Sequence, residues 1–271
     1  MLTYEEYYSS AEEKYINKNY KEALELFKHA CSIRETNDCL NYIGSCYVYL
    51  EDYLSAIRAF KYLLALSPNW ERPLFNLGRM YMALGKQKKA LMYFEKAALI
   101  NPNNEDAYFY LGVYYYKNQD YEKAKMYYEK SLLINEKQAE THLNLGMCYL
   151  RQSIYDKALE EFETAYKYDN NCIDALYNKS VALISMKNYN EALKNLIILN
   201  NLEPNDTEIL MDIAHCYYKL ENYENTKIWL NKLFLKEPNH DLANKLNNRI
   251  VYLTKKKKIE FSIKILLIRY L

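Results

Sequence analysis

The chain has 271 residues, half of them apolar and 15% aromatic, with 31 Tyr but only five Gly and five Pro, which excludes a disordered or linker-rich polymer. Net charge is +1 but unevenly placed: residues 255–271 carry +5 and the rest −4, so the mildly acidic body offers no basic nucleic-acid face. The opening stretch Met1–Tyr20 has acids where a secretory signal needs a basic end and an apolar run, which predicts a non-secreted, cytoplasmic chain.

Residues 4–36 read as a first unit, with Ala11 and Ala23 in two small-residue slots and a bulky cover of Tyr4, Tyr7, Tyr8, Tyr15 and Phe27. Six units of equal length follow, 37–70, 71–104, 105–138, 139–172, 173–206 and 207–240. In these, Gly44, Gly78, Gly112, Gly146, Ser180 and Ala214 stand 34 residues apart, and Ala56, Ala90, Ala124, Ala158, Ala192 and Thr226 follow each by 12. A fixed period in this range marks a stacked helical repeat.

Each unit reads as two helices. Tyr108, Leu111 and Tyr115 recur at helical spacing around Gly112, and Tyr121, Tyr128 and Ser131 do so around Ala124. A short polar turn separates them, and Pro68, Pro102, Pro204 and Pro238 mark the end of the second helix in four units. Helices joined by so short a turn lie antiparallel and close, with the small slots at the contact. The large residues, Tyr81 and Tyr115 from first helices and Phe60, Phe94 and Tyr128 from second helices, are expected to fill the space between repeats.

Cys46, Cys148 and Cys216 fall two after the small residue and Cys39 where Ala107 and Ala175 fall, which predicts reduced packing thiols. Residues 241–253 read as a capping helix with Leu242, Leu246 and Ile250 on one face. The segment 254–271 has no assignment: Ile259, Phe261, Ile263 and Ile265 alternate like a strand and the rest do not. It is too short and charged to span a bilayer. Folding back on the array, disorder, and a weak membrane-surface or partner contact through 255–271 all stay open.

The pattern Leu/Tyr-x-x-Leu-Gly-x-x-Tyr … Tyr-x-x-Ala … Phe … Ala … Pro at period 34 resembles the tetratricopeptide repeat (TPR) over residues 4–240, and Asn104–Lys137 is close to the family consensus throughout. The resemblance implies an all-α fold, an α-solenoid forming a right-handed superhelix of antiparallel helix pairs. It also implies a non-catalytic scaffold that binds a protein or peptide partner.

In a curved stack, first helices line the concave side. The residues two before the small slot read Tyr42, Asn76, Tyr110, Asn144, Asn178 and Asp212; those one after include Arg79, Met147 and His215; further along come Tyr116, Lys117 and Arg151. A carboxamide offers both donor and acceptor, so Asn76, Asn144 and Asn178 can pair with an extended peptide backbone. The row is similar to the asparagine ladder of O-linked N-acetylglucosamine transferases. The family's carboxylate clamp is not matched, because Asn41 and Ser45 stand where it needs Lys and Asn. The peptide-binding expectation therefore rests on Asn76, Arg79, Tyr110, Tyr116, Lys117, Asn144, Met147, Arg151, Asn178, Asp212 and His215, with Tyr and Arg as the anchoring types.

No phosphate loop, His-x-x-x-His pair or nucleophile with a base is present. Glu208, Asp212 and His215 share a helix face but lack a third strong ligand, so no metal, cofactor or catalytic residue is predicted. Two further functions fit the same repeats: a regulatory or substrate-docking part of a glycosyltransferase-type enzyme, and a membrane-associated assembly or secretion accessory. Self-association through solenoid ends fits any of them.

Overall fold

The computed structural model describes residues 2–204 and 206–269, the side chains of 257, 258 and 261–269 excepted. Fifteen α-helices are present among the described residues, and fourteen of them form consecutive pairs. These are α1 (Tyr4–Ile16) with α2 (Tyr20–Ile33), α3 (Asn37–Tyr49) with α4 (Tyr53–Leu66), α5 (Glu71–Ala83) with α6 (Gln87–Ile100), and α7 (Glu105–Lys117) with α8 (Tyr121–Ile134). Then come α9 (Ala139–Arg151) with α10 (Tyr155–Tyr168), α11 (Ile173–Ser185) with α12 (Tyr189–Leu202), α13 (Thr207–Lys219) with α14 (Tyr223–Lys236), and a single long α15 (Asp241–Arg269). The helices fall into two compact units, Met1–Cys148 and Tyr149–Leu271.

Every first helix stops in the same way. Lys18, Glu51, Gly85, Gln119, Ser153, Lys187 and Glu221 have left-handed backbone, with φ between 57° and 69°. The next residue's N–H then reaches back to a carbonyl five residues earlier, as in Asp52 to Tyr47, Lys86 to Tyr81 and Asp120 to Tyr115, at 2.8–3.0 Å. This closure satisfies carbonyls that a helix end leaves open and reverses the chain within three residues. Only Gly85 adopts that φ without a Cβ penalty.

In the first unit the small slots have a geometric cause. A Cβ on Gly44 would stand 2.5 Å from Phe60, on Gly78 2.5 Å from Phe94, and on Gly112 2.5 Å from Tyr128. Each ring is fully buried and comes from the second helix of the same pair. These rings fill the space between repeats, as Phe94 does against Tyr110 of the next pair, and they also press on the small slot of their own pair. In the second unit the slot carries a Cβ, at Ala214, and the facing large residue is the smaller Leu230 of the same core cluster. The volume is conserved while the chemistry changes, as a close-packed interior requires.

First-helix tyrosines make a second periodic layer. Tyr81 stacks on Tyr93 (5.4 Å, 7°) and Tyr115 on Tyr127 (5.3 Å, 10°). Lys89, Lys123 and Lys157 place their ammonium groups 5.5, 5.1 and 5.4 Å from the rings of Tyr81, Tyr115 and Tyr149. Cys39, Cys46, Cys148 and Cys216 have no exposure, and burial pushes each thiol up to about 12. They are neutral packing groups.

At the C-terminal end, Ala243, Leu246 and Ile250 of α15 are buried against Leu210, Leu230 and Leu233. Leu242, expected on that face, is 59% exposed, and the smaller Ala243 takes the contact instead. The helix does not end at Leu253 but continues to Arg269. The alternation from Ile259 to Ile265 finds no partner strand, and a stretch without Gly or Pro continues the helix. No helix among the described residues is long and apolar enough to cross a membrane.

Candidate functional site

In the first unit the residues two before each small slot divide by size. Tyr42 stacks on Phe27 (4.7 Å, 6°) and Tyr110 stacks on Phe94 (5.3 Å, 18°), so both rings serve the packing of one helix pair on the next. Phe75 meets Tyr110 edge-on at 5.4 Å. The Arg79 guanidinium lies 5.8 Å from the centroids of both Phe75 and Tyr110. Such a contact is worth about 0.5–1 kcal/mol at an exposed site and orients the cation. Burial pushes the Tyr110 hydroxyl above its usual range, and Arg79 opposes the shift. Tyr110 is thus a core ring whose edge reaches the surface.

Asn76 is half-buried and lines an open cleft of about 420 Å³ with Tyr42, Ser45 and Arg72. Asn41, which is buried, lines the same cleft, and its side-chain oxygen has no hydrogen-bond partner. A second cleft of about 270 Å³ adjoins Tyr110, Gln138 and Glu140. Asn144 donates Nδ2–H to the Glu140 carbonyl at 3.0 Å, which fixes its rotamer and uses one of its donors. Tyr116 is half-buried, edge-on to Tyr121 at 5.5 Å; Met147 is half-buried and Lys117 exposed at the end of α7.

The second unit carries its own set. Asn178 repeats the Asn144 geometry, donating to the Asp174 carbonyl at 2.8 Å. The Tyr177 hydroxyl donates to Asp212 Oδ2 at 3.2 Å. Burial pushes the Asp212 carboxyl up to about 6; the Tyr177 hydrogen bond opposes this, and Glu208 and Asp206 add to it. His215 is half-buried, 6.4 Å from the Tyr189 ring, and burial and Lys219 hold its pKa below the usual value. Arg151 is exposed at the end of α9. No group of three metal-ligating side chains occurs among the described residues.

The structure brings Asn76, Arg79 and Tyr110 onto one face and places Asp212 and His215 on one helix. Sequence reasoning missed Phe75, Asn41 and Tyr177. Phe75 stands four residues before Arg79, an aromatic–cation spacing readable from sequence. Tyr177 stands one repeat plus one residue before Asp212, a signal the period itself carries.

Residues 43–106 match the tetratricopeptide repeat family model, and residues 83–165 match the model described as anaphase-promoting complex, cyclosome, subunit 3. No curated protein matches the sequence. Among solved structures, the chain is similar to YrrB, described as a TPR protein with an unusual peptide-binding site, at 21% identity over 70% of this chain and 98% of that one, TM-score 0.64. It is also similar to PilF of Pseudomonas aeruginosa, at 15% identity over 79% of this chain and 97% of that one, TM-score 0.69. A third is the APC/C hetero-tetramer Cut9–Hcn1, at 19% identity over 85% of this chain and 46% of that one, TM-score 0.65. Helix pairs at a fixed period, with no strand among the described residues, define an all-α solenoid class. The chain is a tetratricopeptide repeat protein of about seven repeats.

Proposed function

We propose that this chain is a non-catalytic interaction scaffold whose first-helix face holds a peptide or helix of a partner protein. The observation that carries the reading is the Arg79 guanidinium set between the Phe75 and Tyr110 rings beside Asn76. An oriented cation with aromatic walls is the kind of group that anchors interfaces, and the adjacent carboxamide pairs with peptide backbone. Tyr116, Lys117, Asn144 and Met147 extend this face in the first unit. In the second unit, Arg151, Asn178, Asp212 and His215 offer a more polar face of their own. The peptide-binding site named for YrrB and the assembly named for Cut9–Hcn1 support a protein ligand. Buried, reduced thiols support a cytoplasmic location.

The test is quantitative affinity capture with an Arg79→Ala/Asn144→Ala double variant, chosen because the Tyr110 ring is part of the packing. Partner recovery falls about tenfold or more, as loss of charged and polar contacts predicts, while the melting temperature falls by only a few degrees, the loss expected for a contact worth about 0.5–1 kcal/mol. Undiminished recovery overturns the reading.

A further inference from the structure

We propose that the cleft at Asn41 holds the guanidinium of an arginine side chain presented by a partner protein. The proposal rests on the scaffold reading and names the chemistry of its ligand. Three residues before the small slot, the other repeats carry a large apolar or aromatic side chain: Tyr8, Phe75, Phe109, Leu143, Tyr177 and Met211. The second repeat carries a carboxamide there, Asn41. The usual occupant serves packing. Tyr8 lies against Phe27, Phe75 against Phe94 and Phe109 against Tyr128, each the large second-helix ring of its own pair, with centroids 5.6–6.1 Å apart.

Asn41 is only 9% exposed, yet its Oδ1 has no hydrogen-bond partner. A buried acceptor in that state carries a desolvation cost that an apolar side chain at the slot avoids. The carboxamide is also shorter than the rings it replaces, and it lines the open cleft of about 420 Å³. Its χ2 is a soft torsion, so the oxygen can turn to a donor that enters from the cleft. Carboxylates outnumber cations along the same walls. Glu71, Glu105 and Asp106 line the cleft against a single cation, Arg72. Asn41 is buried, whereas Glu71 and Glu105 are half-buried and Asp106 exposed, so the acids form the rim and the carboxamide the floor.

An acceptor without a donor at the floor and surplus carboxylate at the rim together select the ligand. A main-chain amide offers one neutral donor and brings a carbonyl oxygen that the carboxylates disfavour. An ammonium is a compact, strongly hydrated point charge that resists entering a partly buried site. A guanidinium has five N–H donors in one plane and no acceptor, and it is the more weakly hydrated cation. One of its edges pairs with a rim carboxylate at two points, and a remaining N–H donates to Asn41 Oδ1.

The experiment is an NMR titration of the full chain with three blocked tripeptides, glycine flanking a central arginine, citrulline or lysine. The Asn41 side-chain amide and the Asn76 and Asp106 backbone amides shift saturably with the arginine peptide. Citrulline keeps the shape and loses the charge, and its peptide binds at least about tenfold more weakly, the loss expected for one charged hydrogen bond. The lysine peptide also binds more weakly than the arginine peptide. Asn41→Leu gives the slot the side chain of Leu143, abolishes the Asn76 and Asp106 shifts and melts no lower than the parent. Asn41→Phe, matching Phe75 and Phe109, fills the cleft and abolishes them too. No saturable shift, an equal response to arginine and citrulline or to arginine and lysine, or binding that survives Asn41→Leu each overturns the proposal. So does a lower melting temperature in both variants, which shows that the fold itself holds the Asn41 carboxamide. The side chains of Arg79 and Asn144 lie outside the cleft, so the shifts persist in Arg79→Ala/Asn144→Ala. Failure here and failure of the first-helix face are therefore separate results.

Discussion

Gly112 on α7 has no side chain because the ring of Tyr128 on α8 stands in its place, with Cε1 2.5 Å from where a Cβ would be. Gly112→Ala therefore displaces a fully buried ring. Overpacking of this kind costs about 1–3 kcal/mol, read as a lower urea midpoint for the first unit. The double variant Gly112→Ala/Tyr128→Leu recreates the Ala214–Leu230 combination and recovers most of the loss. A single variant as stable as the parent contradicts this packing.

Tyr128 itself makes the opposite prediction. Its hydroxyl is buried with no hydrogen-bond partner, and Phe60, Phe94 and Phe162 hold the same position in other pairs. Removing an unsatisfied buried hydroxyl without changing the ring relieves a desolvation penalty of about 1 kcal/mol. Tyr128→Phe is expected to unfold at a higher temperature than the parent; a lower one means the hydroxyl is satisfied in solution.

The period and the first small slot were legible because at Gly44, Gly78 and Gly112 the same kind of second-helix ring stands where a Cβ would be. What the period does not encode is which neighbour a large side chain meets. Phe94 reads as a repeat-filling residue and Tyr110 as a groove residue, yet Phe94 also presses on Gly78 of its own pair and Tyr110 stacks across onto Phe94. Tyr110 could not be separated from a ligand anchor on spacing alone, because a ring at that slot is wetted on one edge in either role. Leu242 was misplaced for a related reason: at the free end of the array no further repeat fixes the helix rotation, and the contact goes to Ala243.

Ile250 closes the last pair of helices. It is fully buried with Leu246 and Ala243 against Leu210, Leu230 and Leu233, so α15 covers a surface that would otherwise face water. Ile250→Ala removes three carbons from a packed site and costs about 2–4 kcal/mol. Val251→Ala, one residue on and 40% exposed, is close to neutral and serves as control. Equal effects of the two substitutions in urea unfolding show that the helix does not cap through this face.

Asp212 sets a pH dependence whose sign follows from its environment. Its carboxyl is raised from 3.8 to about 6 in the folded chain, first by burial and then by Glu208 and Asp206, against a favourable hydrogen bond from Tyr177. A carboxyl that binds its proton more tightly folded than unfolded contributes stability below pH about 4, and that contribution is lost as pH rises through about 6. Asp212→Asn keeps an acceptor for the Tyr177 hydroxyl and removes the charge. It is expected to stabilise the second unit by on the order of 1–2 kcal/mol at pH 7.5, after allowance for partial exposure, and to change little at pH 4. The quantity to measure is the difference in urea midpoint between parent and variant at the two pH values, in which other groups such as His215 cancel to first order. A difference that is the same at both pH values shows that Asp212 is ionised without penalty in the folded chain.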